Sequence, residues 1–371
     1  MKKLFIFATA ALGMLACTEK NTPENGGDDN GGSTNPKEIS CDPSLIEVDA
    51  SQNSTAKLTL TANGAWSATT NVDWITIEPM SGQGSAFVNI EITAGAPIEG
   101  RIIFSTNNAS AQVVVKRVDK YPGSFSIDTD KRVHFSQGNL QYNAGSNTWR
   151  FAEHQYDVIG TGNNNSGPNY NGWVDLFGWG ASGYNGIYPW QHKVETGDDR
   201  NLWHYYYYEE KSDIANTKYD WGKYNAISNG GNQAGLWRTL TDKEWYYIIS
   251  KRPNASKLRG KATINNINGV IILPDAWNSP ENIKFSTSDN NVYTLAEWQL
   301  METAGAIFLP YAGFASSRQM YYLGENGYYW SSSANLNYPL YAKSFECKSF
   351  RINDSAIKNY GYSVRLVKDV E

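Results

Sequence analysis

The sequence predicts an all-β sandwich followed by an α+β domain with two helices and long loops. Three observations predict it. Between residues 39 and 118 apolar and polar residues alternate with a period of two, broken by turn residues every few positions. Further on, the same helix start, Thr-x-x-Glu-Trp, occurs at Thr241–Trp245 and again at Thr294–Trp298. Between them and the first domain runs a stretch, roughly residues 160–235, rich in Gly, Asn, Trp and Tyr and without clear periodicity. Such a length inside a compact domain is usually functional when ordered.

In chain order, the leader comes first. Lys2 and Lys3 precede an apolar run from Leu4 to Ala16, too short to span a bilayer but of signal-peptide length. Met14-Leu15-Ala16-Cys17 resembles a lipobox, in which cleavage before the cysteine leaves it to carry lipid. Met14 departs from the usual Leu. Residues 1–16 are thus expected to be a lipoprotein signal peptide and Cys17 the lipidation site. Residues 17–38, with Gly26-Gly27-Asp28-Asp29-Asn30-Gly31-Gly32, cannot bury a core and read as a flexible tether. The expected location is the outer membrane, lipid-anchored and facing outward.

The chain has 371 residues, with 32 Lys and Arg against 37 Asp and Glu. Removing the two lysines of the leader would take the net charge from -5 to -7. That balance argues against nucleic acid, which demands a basic face. Aromatics are abundant: 13 Trp, 24 Tyr and 13 Phe. Cys41 and Cys347, in different predicted domains, read as small buried hydrophobes rather than a bridge, so stability must come from core burial.

Within residues 39–118, Leu58, Leu60 and Ala62 point one way and Lys57, Thr59 and Thr61 the other. Val88, Ile90 and Ile92 repeat the pattern, as do Ile102 and Phe104. Trp66 and Trp74 are large enough to fill the gap between two sheets. Gly64-Ala65-Trp66-Ser67, Asp73-Trp74-Ile75, Pro79–Gly84 and Gly100–Phe104 resemble the BACON domain, a bacterial carbohydrate-binding-often-N-terminal module. The resemblance implies an immunoglobulin-like sandwich, acting as spacer or accessory sugar binder. The two tryptophans are expected in the core.

In residues 122–371, Val133–Tyr142 reads as an opening strand and Thr148–Ala152 as its hairpin partner. The first helix opens at Thr241, with Glu244 to bond back and Leu240 and Trp245 at the staple positions. Trp245, Ile248 and Ile249 share a face, and Lys251, Arg252 and Pro253 close it. The second runs from Thr294 to Gly305. Each unit carries an apolar run ending in Leu-Pro, Val270–Pro274 and Ala306–Pro310. Residues 261–273 read as a hairpin around Asn265–Gly269. Tyr328–Ser332, Tyr341–Phe345 and Tyr362–Val367 supply the β-rich end.

Trp237-Arg238-Thr239-Leu240-Thr241 with Glu244-Trp245, Gly327–Ser332 and Gly361-Tyr362-Ser363-Val364-Arg365 resemble the FISUMP-type paralogous domain. That family is related to the C-type-lectin-like fold shared by formylglycine-generating enzymes and phage receptor-binding tips. The resemblance implies a compact base with adjacent termini and a displayed binding surface.

Enzyme chemistry finds little footing. Formylglycine-generating relatives use a Cys pair, and this domain has Cys347 alone. Asp157, Asp175, Glu195, Asp198, Asp199 and Glu209 are available, but no spacing singles out the pair a glycosidase needs. His134, His154, His192 and His204 lack metal-ligand spacing. Calcium, the one ion the lectin resemblance raises, has little support. Ser279-Pro280-Glu281-Asn282 scrambles the lectin tripeptide, and Trp330-Ser331-Ser332 lacks the expected Asn-Asp. No other cofactor is expected.

What remains is binding by rings, since sugars stack apolar C–H faces on Trp and Tyr. The candidate ligand-binding residues are Trp190, Trp203 and Tyr206, with Trp179 and Trp173. The expected function is a surface lipoprotein that binds a glycan or host glycoprotein through aromatic loops. The alternatives are a structural or adhesin subunit and a polysaccharide-active enzyme.

Overall fold

The computed structural model describes residues 39–50, 53–96, 98–118, 121–194 and 202–370. The expected leader, Cys17, the tether, Glu195, Asp198 and Asp199 lie outside the described residues. The chain divides after Val118 into two compact units.

Among its described residues the first unit holds nine strands: β1 (Ile39–Asp42), β2 (Leu45–Asp49), β3 (Ser54–Ala62), β4 (Ala65–Thr70), β5 (Ile75–Glu78), β6 (Ser81–Gln83), β7 (Ala86–Ile92), β8 (Ile98–Ser105) and β9 (Ser110–Val118). They form two sheets, ordered β1-β3-β7-β5 and β2-β9-β8-β4-β6. All pairings are antiparallel except β2 with β9. The alternation in sequence is the alternation in burial: Leu58, Leu60, Val88, Ile90, Ile102 and Phe104 are buried, and their neighbours face water.

Trp66 fills the space between the sheets. Its ring meets Phe104 edge-on at 5.8 Å, and its indole N–H donates to Gly84 O at 2.9 Å. Gly82 lies flat against that ring, where a Cβ would come within 2.7 Å of it. Trp74 packs on the same core, with the Arg117 guanidinium 4.3 Å over its ring. Trp66 is placed inward by the alternation of β4, whereas Trp74 packs on the core from the turn just before β5.

The second unit is α+β. Its base sheet joins the two ends of the unit: Arg132–Phe135 pairs with Leu366–Asp369, flanked by Phe125–Ser126 and Arg238–Thr239. The expected single strand Val133–Tyr142 is two strands in two sheets. Ser136 donates its hydroxyl to Gly138 O at 2.9 Å, and Gly138 sits too close to Ala152 O for a side chain. The chain therefore turns here, and Leu140–Asn143 pairs separately with Thr148–Phe151.

Among the described residues, three helical segments carry α hydrogen bonding. α1 (Trp221–Tyr224) is a single turn, capped by Asp220, that the sequence reading did not anticipate. α2 (Asp242–Tyr246) begins with the expected capping box: Thr241 Oγ1 accepts from Glu244 N at 3.2 Å, and Glu244 accepts from Thr241 N at 2.7 Å. From Tyr247 to Lys251 it continues in wider π geometry, and Arg252 N bonds Tyr247 O. Leu240, Trp245, Ile248 and Ile249 share one buried cluster. α3 (Leu295–Thr303) repeats the box through Thr294 and Glu297. Just past its end stands Gly305, whose φ of 94° suits glycine and whose backbone abuts Gly123.

The two Leu-Pro runs are partners. Ile267–Ile272 pairs antiparallel with Ile307–Pro310, Gly269 opposite Pro310 and Ile272 opposite Ile307. Arg259–Ile264 and Asn291–Tyr293 complete that sheet. The β-rich end is Tyr328–Ala334, Tyr341–Glu346 and Arg351–Ile357, with Gly361–Ser363 bonding as isolated bridges. Cys347 is buried and Cys41 half-buried, both unbridged. Among the described residues no helix is long and apolar enough to cross a membrane.

Candidate functional site

Part of the ring-rich middle segment is core: Phe177, Trp179, Tyr205 and Trp221 are buried. In Asp175-Leu176-Phe177-Gly178-Trp179, every side chain has a structural task. Asp175 is fully buried and accepts from Asn163 Nδ2 at 2.7 Å and Ile159 N at 3.0 Å; burial pushes its carboxyl up to about 6. Phe177 exchanges backbone bonds with Tyr362, and Gly178 lets the Tyr206 carbonyl approach. Trp179 is 0% exposed and donates its indole N–H to Ser331 O at 2.8 Å. The expectation that Trp179 meets a ligand is therefore corrected. Its ring fills the core, and an indole so placed costs less with its N–H paired than open. Trp221, Trp237 and Trp330 are likewise buried, each donating to a backbone carbonyl.

The other candidates are half-buried. Trp173 lies on a short strand beside Asn143, its ring 3.9 Å under the Arg150 guanidinium. Trp203 belongs to a hairpin, Gln191–Val194 with Leu202–Tyr205, and Arg318 stands 3.3 Å over its ring. One ring face of each is thus taken by a cation. Neither is brought to the groove described next.

Trp190 is. It stacks on Tyr188 with centroids 4.6 Å apart and planes within 5°, and on Tyr142 at 6.3 Å. Tyr206 meets Tyr188 edge-on at 5.4 Å and stacks on His192 at 4.1 Å. Beside the stack opens a groove of about 570 Å³, lined by Tyr142, Asn147, Trp149, Tyr188, Trp190, Tyr224 and Asn225, among others. Tyr188 is 41% exposed and Tyr224 39%, so these are its most open rings. Sequence reasoning named neither. The signal for Tyr188 was its place two residues before Trp190, across Pro189; Tyr224 needed the α1 turn, which had no pattern.

The groove is held from below. Tyr142 donates its hydroxyl to Asn147 Oδ1 at 3.0 Å. Asn225 donates its amide to Ser182 O at 2.9 Å and Trp221 O at 3.1 Å. These bonds tie its rim to the core beneath.

A second cleft, about 390 Å³, contains two carboxylates, Glu153 and Glu302. Burial raises the Glu302 carboxyl above its ordinary range, while Gln155 Nε2 donates to it at 2.8 Å. Of the carboxylates singled out in sequence, Asp175 is locked in the core, Asp157 bonds His154 N and Glu209 is exposed. His192 and His204 face each other across the hairpin, a pairing invisible to spacing along the chain. Burial and His192 both lower the His204 pKa. Among the described residues, no three His, Cys, Asp or Glu side chains converge as a metal site. Trp330, Ser331 and Ser332 are fully buried, so that segment offers a cation no open oxygen.

Residues 33–112 match the model of the viral BACON domain, and this part of the chain holds a BACON-type domain. No curated protein matches the chain. Solved structures with partial similarity include a Bacteroides ovatus GH5 xyloglucanase in complex with a XXXG heptasaccharide. It is 18% identical with a TM-score of 0.22, over 24% of this chain and 21% of that one. Another is SSP-19, an MSP-domain protein like family member of Caenorhabditis elegans, 19% identical with a TM-score of 0.19, over 21% of this chain and 97% of that one. A third is the ASH / PapD-like domain of human CEP192, 11% identical with a TM-score of 0.19, over 26% and 99%. The chain spans about a fifth of the xyloglucanase. At these scores none of the three bears on function.

Proposed function

We propose that this protein is a lipid-anchored outer-membrane protein that binds a glycan or glycoprotein through the Tyr188–Trp190 groove. The BACON-type domain serves as spacer or accessory sugar binder, and residues 122–371 form a FISUMP-type, C-type-lectin-like domain. The observation that carries the reading is the Tyr188–Trp190 stack at 4.6 Å, beside a groove of about 570 Å³. A ring pre-set by its neighbour loses little freedom when a sugar face lands on it. Supporting the anchor are the charged start, the short apolar run and Cys17. Supporting the lectin-like fold is the base sheet that joins both ends of the unit beneath long loops.

A glycan array probed with the protein, and with a Tyr188→Ala/Trp190→Ala variant, tests the reading. Signal lost in the variant is expected; an empty array removes the reading.

A second reading, polysaccharide turnover, draws on Glu153 and Glu302 sharing a cleft. It requires hydrolysis on a polysaccharide panel that Glu302→Gln abolishes. A third, an assembly or adhesin subunit, draws on Leu336, Tyr338 and Leu340, each more than half exposed. It requires self-association, seen by light scattering and abolished by Leu340→Asp.

A further inference from the structure

We infer that the groove selects uncharged saccharides and refuses acidic ones; this rests on the glycan reading above and narrows it. Among the described residues, the groove lining contains no Asp, Glu, Lys, Arg or His. The surrounding chain is not poor in charge, so the neutrality is local. Lys218, whose backbone carbonyl accepts from Ser182, carries its ammonium over the Tyr184 ring at 5.3 Å. Arg150 and Arg318 are spent over Trp173 and Trp203.

The polar atoms that remain are neutral and of both kinds. Asn147 accepts from Tyr142 through its oxygen, which leaves its amide N–H groups as donors. Asn225 donates twice through its nitrogen, which leaves its oxygen as an acceptor without a partner among the described residues. The Tyr188 and Tyr224 hydroxyls can do either. Sugar hydroxyls, donors and acceptors at once, are complementary to that set.

A carboxylate or sulfate brought here would surrender hydration with no cation to replace it. A ring cage for an ammonium group is also disfavoured, because Tyr188 and Trp190 face each other rather than a shared centre.

The test titrates the full chain with two matched panels by calorimetry. One holds neutral gluco-, xylo-, manno- and N-acetylhexosamine oligosaccharides. The other holds uronate, sulfated and sialylated counterparts. Each is measured at low salt and at about 1 M salt, where the screening length falls to about 3 Å.

Neutral ligands are expected to bind with salt-independent affinity, acidic ones not, and Tyr188→Ala to weaken neutral binding by about tenfold or more. Circular dichroism confirms that the variant is folded. Acidic ligands binding as well or better, with affinity lost in salt and lost in Tyr188→Ala, overturn this inference and leave the groove reading standing. No binding in either panel, or binding indifferent to Tyr188→Ala, overturns the groove reading and this inference with it.

Discussion

The buried guanidinium of Arg365 donates to the side-chain oxygen of Gln155 at 2.5 Å. The same oxygen accepts from Phe308 N at 2.8 Å, while the Gln155 nitrogen donates to Glu302 at 2.8 Å and to Ala306 O at 3.3 Å. All four hydrogen-bonding positions of one amide are filled. Gln155 thus relays between a fully buried cation and the Glu302 carboxylate at the end of α3. It ties the Gly361–Arg365 motif to the second Thr-x-x-Glu-Trp helix.

Breaking that relay should be costly. Gln155→Leu keeps the volume but removes the shortest bond to the Arg365 guanidinium and leaves Phe308 N unpaired, and should destabilise the second unit by about 1.5–3 kcal/mol. Gln155→Glu supplies Arg365 with a counter-charge but sets a second carboxylate where the Gln155 nitrogen donates to Glu302 and Ala306 O, so it should cost less than Gln155→Leu only at acid pH, where that carboxylate pair holds a proton. Urea melts of both variants at acid pH check the order; equal losses would show that the residue matters only for packing.

The tryptophans separate ring volume from ring polarity. Trp179 donates to Ser331 O, whereas the buried Trp245 N–H has no partner among the described residues. Both Trp→Phe changes remove similar volume, so Trp179→Phe should cost about 1–3 kcal/mol more than Trp245→Phe. Thermal or denaturant unfolding measures the difference.

The paired helix starts predict matched penalties. Thr241→Ala and Thr294→Ala each remove the acceptor for an N3 amide, and each should cost about 1 kcal/mol. The caps serve separate helices, so the double variant should be close to the sum. A loss far above the sum would mean the helices are coupled through the sheet between them.

Stability should carry a signature between about pH 4 and pH 6. Burial pushes the Asp220 carboxyl from 3.8 up to about 6, against bonds from Thr239 and Gly222 that favour its charge. In that window the folded chain holds a proton that an unfolded chain has released. The contribution of Asp220 is therefore greatest below its unfolded value and is lost as pH rises through about 6. Asp242 and Glu297, whose carboxyls are held low, act in the opposite sense. The comparison is therefore with Asp220→Asn, whose stability should fall less over the window, by up to about 3 kcal/mol. Parallel melting-temperature profiles for the two chains would contradict this.

At the groove, the rings predict an order. Tyr188→Ala should weaken glycan capture by about tenfold or more, because it removes the open ring, while Trp203→Ala should spare it, because Arg318 already covers a face of Trp203. Glycan-array intensities for the two variants decide it; the reverse order would move the site to the hairpin.

Much of the architecture was legible along the chain. Alternation in residues 39–118 sets the inward and outward faces of a sandwich, because a strand's side chains repeat every two residues. Thr-x-x-Glu names a helix start because its bonds span three residues. The α1 turn was not legible, nor was the break at Ser136–Asn139. Both depend on contacts with distant backbone, such as Gly138 against Ala152.

The residues by themselves determined where rings are plentiful and that a groove of rings was worth seeking. Only tertiary structure decided which rings are open. Trp179 and Trp190 sit in equally aromatic surroundings along the chain. One N–H finds Ser331, 152 positions away, and the other ring finds Tyr188 at the surface. Burial of a large amphipathic ring depends on partners that no local pattern encodes.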